Sequence, residues 1–388
     1  MPTSADAPAG ADAPAEAGLL ADALGVDSGD LRMLSREPLG RGSVAGFDVR
    51  RDGDATETWF VDTSGLEVTA ETGLAAEGVR VWPHPADPHL PALAPAAFGG
   101  AAAVLLERLG VAVEGQPRIM AYRAGRRAVL RMPSAGAATW VKVVRPGRVE
   151  RVVWAHAAFA AAGIPVPAVR GWSPEGLLVL DQADGTPATE VVWQPEALLD
   201  LVDELRRRIA TVPMRVPART SLLARLPWYR ARLIAAGLPG ALVDDLAARA
   251  EALGAQAGGV ETGIHGDLHV GQLFLTGSGD SIHLASLIDV DTAGRGDPAD
   301  DAGAFLSHAV ASALLTEGWG DAERAWALAE GARRRFADDP AVAARAIVQL
   351  LGHALAAAES ADRVRADRLL AAADLVDKSG LTVAFEAP

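Results

Sequence analysis

The chain has 388 residues, half of them hydrophobic, which is enough to bury at least one large core in a globular protein of two or three structural units. Its 36 Lys and Arg residues against 50 Asp and Glu residues give a net charge of −14, which argues against non-specific binding to nucleic acid or anionic membrane and favours a cationic or neutral small molecule as partner. The sequence contains no cysteine, which excludes a disulfide framework, a thiol nucleophile and a cysteine-based zinc site.

The first 16 residues consist largely of Ala, Pro, Gly and Asp, and this composition predicts a disordered tail. The segment has neither the basic region nor the continuous apolar stretch of a secretory signal. No apolar run in the chain approaches the roughly 20 residues that a membrane span needs. We therefore expect a soluble, cytoplasmic protein.

Residues 17–112 show the pattern of a separate domain. Short apolar runs alternate with turn signals and predict a meandering sheet: residues 44–49, the turn at 51–54 and residues 58–61. Five prolines between residues 83 and 95 predict a rigid connection, and residues 96–109 predict an apolar helix that ends at Gly110. We expect an N-terminal cap domain over residues 17–112.

The next part of the chain has the pattern of a small antiparallel sheet followed by helices. Three short strands are predicted around the turns at residues 124–125 and 133–136: residues 118–122, 128–132 and 140–144. A helix over residues 148–162 ends at Gly163, and a buried strand follows at residues 177–180. From residue 195 onward the pattern is helical, with one interruption at residues 264–297 that contains a hairpin.

Polar side chains crowd this interruption. Phosphoryl transfer needs a carboxylate for the acceptor hydroxyl, oxygen ligands for magnesium and a cation on the nucleotide phosphates. In kinase catalytic loops the base Asp precedes a metal-binding amide by five residues, and Asp267 precedes Gln272 by the same five. Asp289 follows the apolar run 284–288, so the hairpin can bring it to the edge where the other two lie. The amide oxygen of Gln272 is a hard ligand of the kind that Mg²⁺ prefers.

The predicted antiparallel unit contributes further candidates. Lys142 stands among apolar neighbours in a predicted strand, where its charge needs a phosphate or a carboxylate as partner. Glu150 is the only acidic residue between Lys142 and Glu175, so it is the only candidate there for an ion pair with Lys142. The hairpin turn that contains Gly125 precedes this strand and is the natural lid over the phosphates.

The stretch from about Arg118 to Leu315 resembles the aminoglycoside phosphotransferase family, bilobal relatives of the protein kinases. The family's hallmark residues are H-G-D-L-H, I-D and G-D-P-x-x-D, and they stand here at His265 to His269, Ile288-Asp289 and Gly296 to Asp301. The resemblance implies an α+β, protein-kinase-like fold. It comprises a small antiparallel-sheet N-lobe at residues 113–184 and a mainly helical C-lobe at residues 185–388, behind the cap domain.

The same resemblance implies ATP and Mg²⁺ as cofactors and assigns a role to each candidate residue. Asp267 is the catalytic base, and Gln272 and Asp289 are the magnesium ligands. Lys142 binds the phosphates and Glu150 orients it. The hinge that reads adenine through its backbone includes Asp181 and Ala183.

The family usually has Asn where Gln272 stands. The maltokinase-like branch, with its related glucosamine kinases, carries H-L-G-Q at this place and also has an N-terminal cap, which favours a sugar as acceptor. Those sugar kinases resemble D-F-E-G-E-P downstream, whereas this chain has Asp289-Val-Asp-Thr-Ala-Gly-Arg-Gly-Asp-Pro298, closer to the wider family. The expected acceptor is a sugar, an aminosugar or an aminoglycoside.

Two other functions are open on the sequence. His265, Asp267, His269 and Asp289 are a plausible ligand set for a metal-dependent hydrolase, although such an enzyme has no use for Lys142 paired with an acid. The chain could also be an inactive kinase-fold binding module, which the intact Asp267, Asp289 and Lys142 argue against. Metal content separates the first from a kinase, and ATP turnover separates the second.

Residues around the candidate base have structural roles to weigh. Asp297 and Asp301 are expected to fix the loop, and His269 is expected either to structure it by bonding to backbone or to Asp297, or to contact the substrate directly. Asp291 would share a side with Asp289, and so have a metal role, if the strand continues through both.

Overall fold

The computed structural model describes residues 15–51, 55–68, 71–76, 78–134, 137–256 and 259–378. The chain divides into two compact units, residues 1–153 with 168–182, and residues 154–167 with 183–388.

The first unit is built mainly of antiparallel sheet. Its strands are β1 (Leu31–Leu39), β2 (Gly42–Arg50), β3 (Thr56–Asp62), β4 (Leu74–Ala76), β5 (Val79–Pro83), β6 (Arg118–Arg123), β7 (Arg127–Met132), β8 (Thr139–Val144), β9 (Val169–Ser173) and β10 (Leu177–Asp181). Its helices are α1 (Ala15–Leu24), α2 (Leu93–Ala97), α3 (Gly99–Glu107) and the first turns of α4 (Pro146–Ala161).

Two five-stranded sheets organise this unit, with strand orders β1-β2-β3-β5-β4 and β6-β7-β8-β10-β9. Side chains alternate along β2, so that Ala45, Phe47 and Val49 pack with Leu20 of α1. The other face of the same sheet packs against Ala124, in the turn between β6 and β7.

The second sheet is covered on one face by the segment that precedes it in sequence. Leu90, Leu93 and Leu106 are fully buried in one hydrophobic core with residues of β7, β8 and β10. Its other face bears Leu178, which packs on Val149 of α4. The sheet is therefore buried on both faces within its own unit.

The second unit is mainly helical. Its helices are α5 (Pro195–Ala210), α6 (Leu226–Ala235), α7 (Gly240–Gly254), α8 (Ala299–Thr316), α9 (Ala322–Phe336), α10 (Pro340–Glu359) and α11 (Arg363–Leu375). Its short strands are β11 (Thr186–Pro187), β12 (Thr262–Ile264), β13 (Leu273–Ser278), β14 (Ser281–Leu287) and β15 (Gly294–Gly296). They form the sheets β11-β13-β14 and β12-β15.

Helix α10 lies at the centre of this unit and packs on α7, α8 and α11. Among the described residues it is the one helix with the length and composition of a membrane span, and most of it is buried inside the protein. Burial in the core accounts for its apolar composition. One of its residues, Arg345, pairs with Asp297 and Asp300 at the N-terminal end of α8.

The predicted α+β fold, with an antiparallel-sheet unit before a mainly helical one, is confirmed. The strands predicted at residues 44–49, 118–122, 128–132 and 140–144 are present as β2, β6, β7 and β8. The predicted helix at 148–162 is α4, after which Gly163 takes a positive φ of 72°. The domain boundaries at residues 112 and 184 stay predictions.

Some sequence expectations differ from the structure or fall outside it. The predicted tail reaches residue 16, but α1 begins at Ala15; residues 1–14 lie outside the described residues, as do 52–54 and 135–136 of two predicted turns. The helix predicted at 96–109 is two helices, α2 and α3. Strand β14 ends at Leu287, so the extended strand predicted to carry Asp289 and Asp291 stops short of both.

Candidate active site

The loop after β12 carries Asp267, and a buried carboxylate fixes its backbone by hydrogen bonds. Asp301, at the start of α8, accepts hydrogen bonds from the backbone N–H groups of His265 at 2.8 Å and Gly266 at 2.7 Å. Gly266 has a φ of 82°, and a Cβ there would lie 2.8 Å from the carbonyl oxygen of Thr292, so the tight turn requires glycine. Burial raises the pKa of Asp301.

A second buried network fixes the same helix end. Arg345 of α10 is 4% exposed and pairs with Asp297 at 2.6 Å and with Asp300 at 2.7 Å. The hydroxyl of Ser221 donates to Asp300 at 3.0 Å. The loop-fixing role predicted for Asp297 and Asp301 is confirmed by these contacts.

The carboxylate of Asp267 faces an arginine that the sequence did not single out. The Arg219 Nη2 atom lies 2.7 Å from Asp267 Oδ1, and the two side chains are each 25% exposed. The backbone N–H of Arg219 donates to the carbonyl of Thr292 at 3.0 Å, which anchors the arginine beside the loop. Asp267 therefore keeps one oxygen in an ion pair while its side chain stays partly open.

Gln272 and Asp289, the two predicted metal ligands, are neighbours. The backbone N–H of Ile288 donates to the carbonyl of Gln272 at 3.0 Å. Asp289 then takes a left-handed conformation, φ 59° and ψ 41°. Non-glycine residues seldom adopt this backbone conformation, because it costs about 1–3 kcal/mol. Residues that do adopt it cluster at functional sites.

The side chain of Gln272 is 2% exposed and has two different polar atoms. Its Oε1 atom accepts from the backbone N–H of His269 at 3.1 Å, which uses one of two lone pairs. Its Nε2 atom makes no hydrogen bond to any described residue. An amide oxygen and a carboxylate are hard ligands of the kind that Mg²⁺ prefers, so Gln272 and Asp289 fit magnesium in ligand chemistry.

The ring of His269 bonds to the backbone of its own loop, which is the structural role expected for it. Its Nδ1 atom accepts from the N–H of Gly271 at 3.1 Å, whereas Asp297 bonds to Arg345 instead. Burial lowers the pKa of His269. Its ring lies against His308 of α8, with 4.4 Å between ring centroids.

Two polar residues of α10, His353 and Gln349, contact His308 in turn. The ring of His353 lies 4.6 Å from that of His308, and Gln349 Nε2 donates to His308 Nε2 at 3.4 Å. Burial, then the neighbouring imidazoles and Arg219, lowers the pKa of His308 well below its ordinary value. Burial, then Arg365, lowers the pKa of His353 to about 4.

The sequence gives one signal that could have found these residues. Arg345, Gln349 and His353 recur at every fourth position of an otherwise apolar helix, so they share one face of it. Arg219 has no such local signal, since it meets Asp267 across 48 residues.

The first unit holds most of the other predicted residues. Lys142 of β8 is 7% exposed and lies opposite Leu178 of β10, so it projects from the sheet face on which α4 packs. Glu150 lies on α4 and is exposed. Asp181 ends β10 and accepts from Arg170 Nε at 2.6 Å. Ala183 is buried and belongs to the second unit. The cofactor roles of all four stay predictions.

Gly125 lies in the turn between β6 and β7, where its φ is 68°. Its N–H donates to the buried carboxylate of Asp87 at 2.7 Å, and the Tyr122 hydroxyl donates to the same carboxylate at 2.9 Å. A Cβ on Gly125 would lie 2.6 Å from Leu39. Burial raises the pKa of Asp87.

The ligand set of the alternative hydrolase does not assemble. Among the residues that the structure describes, no three His, Asp or Glu side chains are grouped so that they could hold a metal ion. His265 is fully buried, and its Nε2 atom donates to the carbonyl of Ile288 at 3.1 Å. The geometry therefore does not support a metal-centred hydrolase.

Comparison with known proteins gives one family. The model of the phosphotransferase enzyme family (APH) matches residues 121–337, more than half of the chain. No curated protein sequence matches significantly.

Solved structures share the fold. The apo form of a thermostable mutant of aminoglycoside phosphotransferase APH(4)-Ia is 17% identical with a TM-score of 0.50, and the match covers 71% of this chain and 98% of that one. A ternary complex of a mutant of that enzyme with ADP and hygromycin B is 16% identical with a TM-score of 0.50, covering 71% and 97%. Another, with AMP-PNP and hygromycin B, has the same four values.

Proposed function

The chain belongs to the phosphotransferase enzyme family, and we propose that it transfers the γ-phosphate of Mg-ATP to a hydroxyl group of a small molecule, with Asp267 as the catalytic base. The observation that carries the proposal is the loop after β12, where the buried Asp301 fixes the backbone that presents Asp267. Solved structures of the same fold with ADP and AMP-PNP support the choice of nucleotide.

In this mechanism Asp267 accepts the proton of the acceptor hydroxyl as that oxygen attacks phosphorus, and the bond from the γ-phosphorus to the bridging oxygen breaks to release ADP. Arg219 holds one oxygen of the Asp267 carboxylate in place. Lys142 binds the phosphates, Glu150 orients Lys142, and the turn of Gly125 covers them.

Magnesium would be held by Gln272 and Asp289. When bound, the ion neutralises charge on the phosphates of the nucleotide. Asp289 follows Ile288, whose backbone N–H donates to the carbonyl of Gln272, and this adjacency supports a shared magnesium site. The hinge residues Asp181 and Ala183 would read adenine through their backbone.

The acceptor class that the family supports is a sugar, an aminosugar or an aminoglycoside. The Gln272 motif, which the maltokinase-like branch shares, favours a sugar. Hygromycin B, which is bound in structures of the same fold, supports an aminoglycoside as the second candidate.

The test is Asp267→Ala. General-base catalysis contributes about 10²–10⁴-fold, so acceptor phosphorylation should fall by about 100-fold or more. Mg-ATP affinity should stay within about twofold, because the base acts on the acceptor and not on the nucleotide. ADP release with product mass, and calorimetry with Mg-ATP, measure the two effects.

The matched control is Asp280→Ala, an exposed aspartate in the turn between β13 and β14, which should change neither value. Turnover of the Asp267→Ala variant within about tenfold of the parent would reject Asp267 as the base.

A further inference from the structure

Within the second unit, the carboxylate of Asp267 is already paired with an arginine. Asp267 contributes one negative charge and Arg219, 2.7 Å away, one positive charge. His308 and His353 are neutral near pH 7, since burial lowers the pKa of both. Gln349 is an uncharged amide. On the side of these two histidines, a cationic acceptor would thus meet the positive charges of Arg219 and Arg365 and the carboxylate of Asp267, which is already paired.

The carboxylates of the helices that carry these groups are already engaged. Helices α8 and α10 carry three carboxylates between them. Asp300 pairs with Arg345, Asp301 holds the catalytic loop, and Glu359 pairs with Arg232 at 2.6 Å. These helices therefore have no carboxylate left to receive the ammonium groups of an aminoglycoside.

The same helices do offer neutral hydrogen-bonding atoms. The Nε2 atom of His353 and the Oε1 atom of Gln349 are buried and make no hydrogen bond to any described residue. Leaving such atoms unpaired is costly, so they favour a partner that brings its own donors and acceptors. Both residues and His308 are partly exposed as whole residues, so a ligand can reach this face.

We propose that His308, Gln349 and His353 form the acceptor subsite beside Asp267, and that it takes an uncharged acceptor with several hydroxyl groups, of the neutral-sugar class. Each hydroxyl both donates and accepts, which matches the Nε2 atom of His353 and the Oε1 atom of Gln349. The proposal deepens the phosphotransferase function and rests on Asp267 as its base.

The experiment compares acceptors under Mg-ATP, following ADP release and product mass with glucose, maltose, glucosamine and kanamycin. At least one of the two neutral sugars should exceed kanamycin by about tenfold or more in kcat/KM. Gln349→Leu keeps similar bulk and removes the polar atoms, so it should raise the KM for that sugar about tenfold and leave the KM for ATP within about twofold. Gln256→Leu, at an exposed glutamine after α7, is the matched control and should change neither.

A second variant tests the charge argument. Arg219→Gln removes the positive charge and leaves Asp267 unshared, so the ratio of kcat/KM for glucosamine over glucose should rise about tenfold. A purely structural role for Arg219 would lower both values together and leave their ratio unchanged. His353→Asn provides an independent test of the subsite and should also raise the KM for the sugar.

Kanamycin as the better substrate of the parent would overturn the proposal, as would an unchanged sugar KM in both Gln349→Leu and His353→Asn. If no acceptor releases ADP, the phosphotransferase proposal fails, and calorimetry with glucose and maltose then judges the subsite separately. Sugar binding that Gln349→Leu abolishes would support it, and absence of any sugar binding to the parent would reject it.

Discussion

The Oε1 atom of Gln272 has two roles. It accepts a hydrogen bond from the backbone N–H of His269, and it is the candidate magnesium ligand. Gln272→Asn retracts this oxygen by about one C–C bond, which is large against the narrow tolerance of Mg²⁺ coordination near 2.0–2.1 Å. We expect activity to fall but survive, with partial rescue by the larger Mn²⁺. Gln272→Leu offers no oxygen and should be far less active in either metal.

Parallel Mg²⁺ and Mn²⁺ titrations of the parent and the two variants check this prediction. Loss of the His269 bond alone would lower the thermal stability of both variants without nucleotide and leave the metal preference of the parent. Unchanged metal dependence in both would therefore reject Gln272 as a ligand and leave it as a residue that structures the loop.

His353 predicts a pH dependence of stability. Its pKa is about 4 in the folded protein against an ordinary 6.5, so between these values the unfolded chain binds the proton more tightly. The free energy of unfolding should therefore be fully present above pH 6.5 and fall as pH decreases towards 4. The expected loss for this residue is roughly 2 kcal/mol between pH 7.5 and pH 5.

Denaturant unfolding at the two pH values measures this loss. His353→Gln cannot titrate, so its stability should fall by less than that of the parent, while His283→Gln, at an exposed histidine of β14, should behave as the parent does. The groups that face His353 are His308, His269, Arg365 and Asp267. His308 shifts in the same direction and remains in the variant, so part of the pH dependence should persist. Equal losses in parent and His353→Gln would contradict the prediction.

At the scale of elements, local patterns predict what local forces determine. Strands β2 and β8 follow from runs of apolar residues, and the helix at α4 from its period and the glycine that ends it. Strand β9 lies at a partly exposed edge of its sheet. Its sequence, VRGWS, is not a run of apolar residues, so no pattern in the sequence indicates this strand. The predicted site residues Asp267, Gln272 and Asp289 stand out because their spacing reflects one loop and one hairpin.

The contacts that shape the site from a distance carry no such local signal. Asp87 reaches Gly125 across 38 residues, and Arg345 reaches Asp297 across 48. These partners are set by packing of whole elements, which a single sequence does not display. The row formed by His269, His308 and His353 likewise appears only once α8 and α10 pack on each other.

The turn between β6 and β7 predicts an effect on nucleotide binding. The carboxylate of Asp87 accepts from Gly125, Tyr122 and the backbone of His89, so it fixes the turn that is proposed to cover the phosphates. Asp87→Asn turns one acceptor oxygen into an NH₂ group that faces donors. Hydrogen bonds to charged groups contribute about 1.5–3 kcal/mol, so we expect the KM for ATP to rise about tenfold.

Amide hydrogen exchange at Gly125 should accelerate in the same variant, which reports the turn itself. Asp22→Asn, at an exposed residue of α1, is the control and should leave both measurements unchanged. A slow Gly125 amide together with a raised KM would show that Asp87 acts on nucleotide binding by another route.

At the scale of the whole molecule, the buried residues of the first unit bear on the predicted boundary at residue 112. That boundary implies that a chain beginning at Gly110 folds alone. Yet Leu90, Leu93 and Leu106 share one core with β7, β8 and β10. Helices α2 and α3 cover this face of the second sheet from the N-terminal side of the boundary.

We therefore expect a chain that begins at Gly110 to be insoluble or to lack a cooperative unfolding transition, because removing three buried leucines would forfeit about 1.5–3 kcal/mol each and expose the apolar face of the sheet. Leu93→Ala in the full chain tests the same core by a single truncation, and it should lower the free energy of unfolding by about 2–5 kcal/mol. Leu74→Ala, at a leucine that is 53% exposed, should cost little. A soluble chain from Gly110 that unfolds cooperatively and binds Mg-ATP would instead establish residues 17–112 as a separate cap.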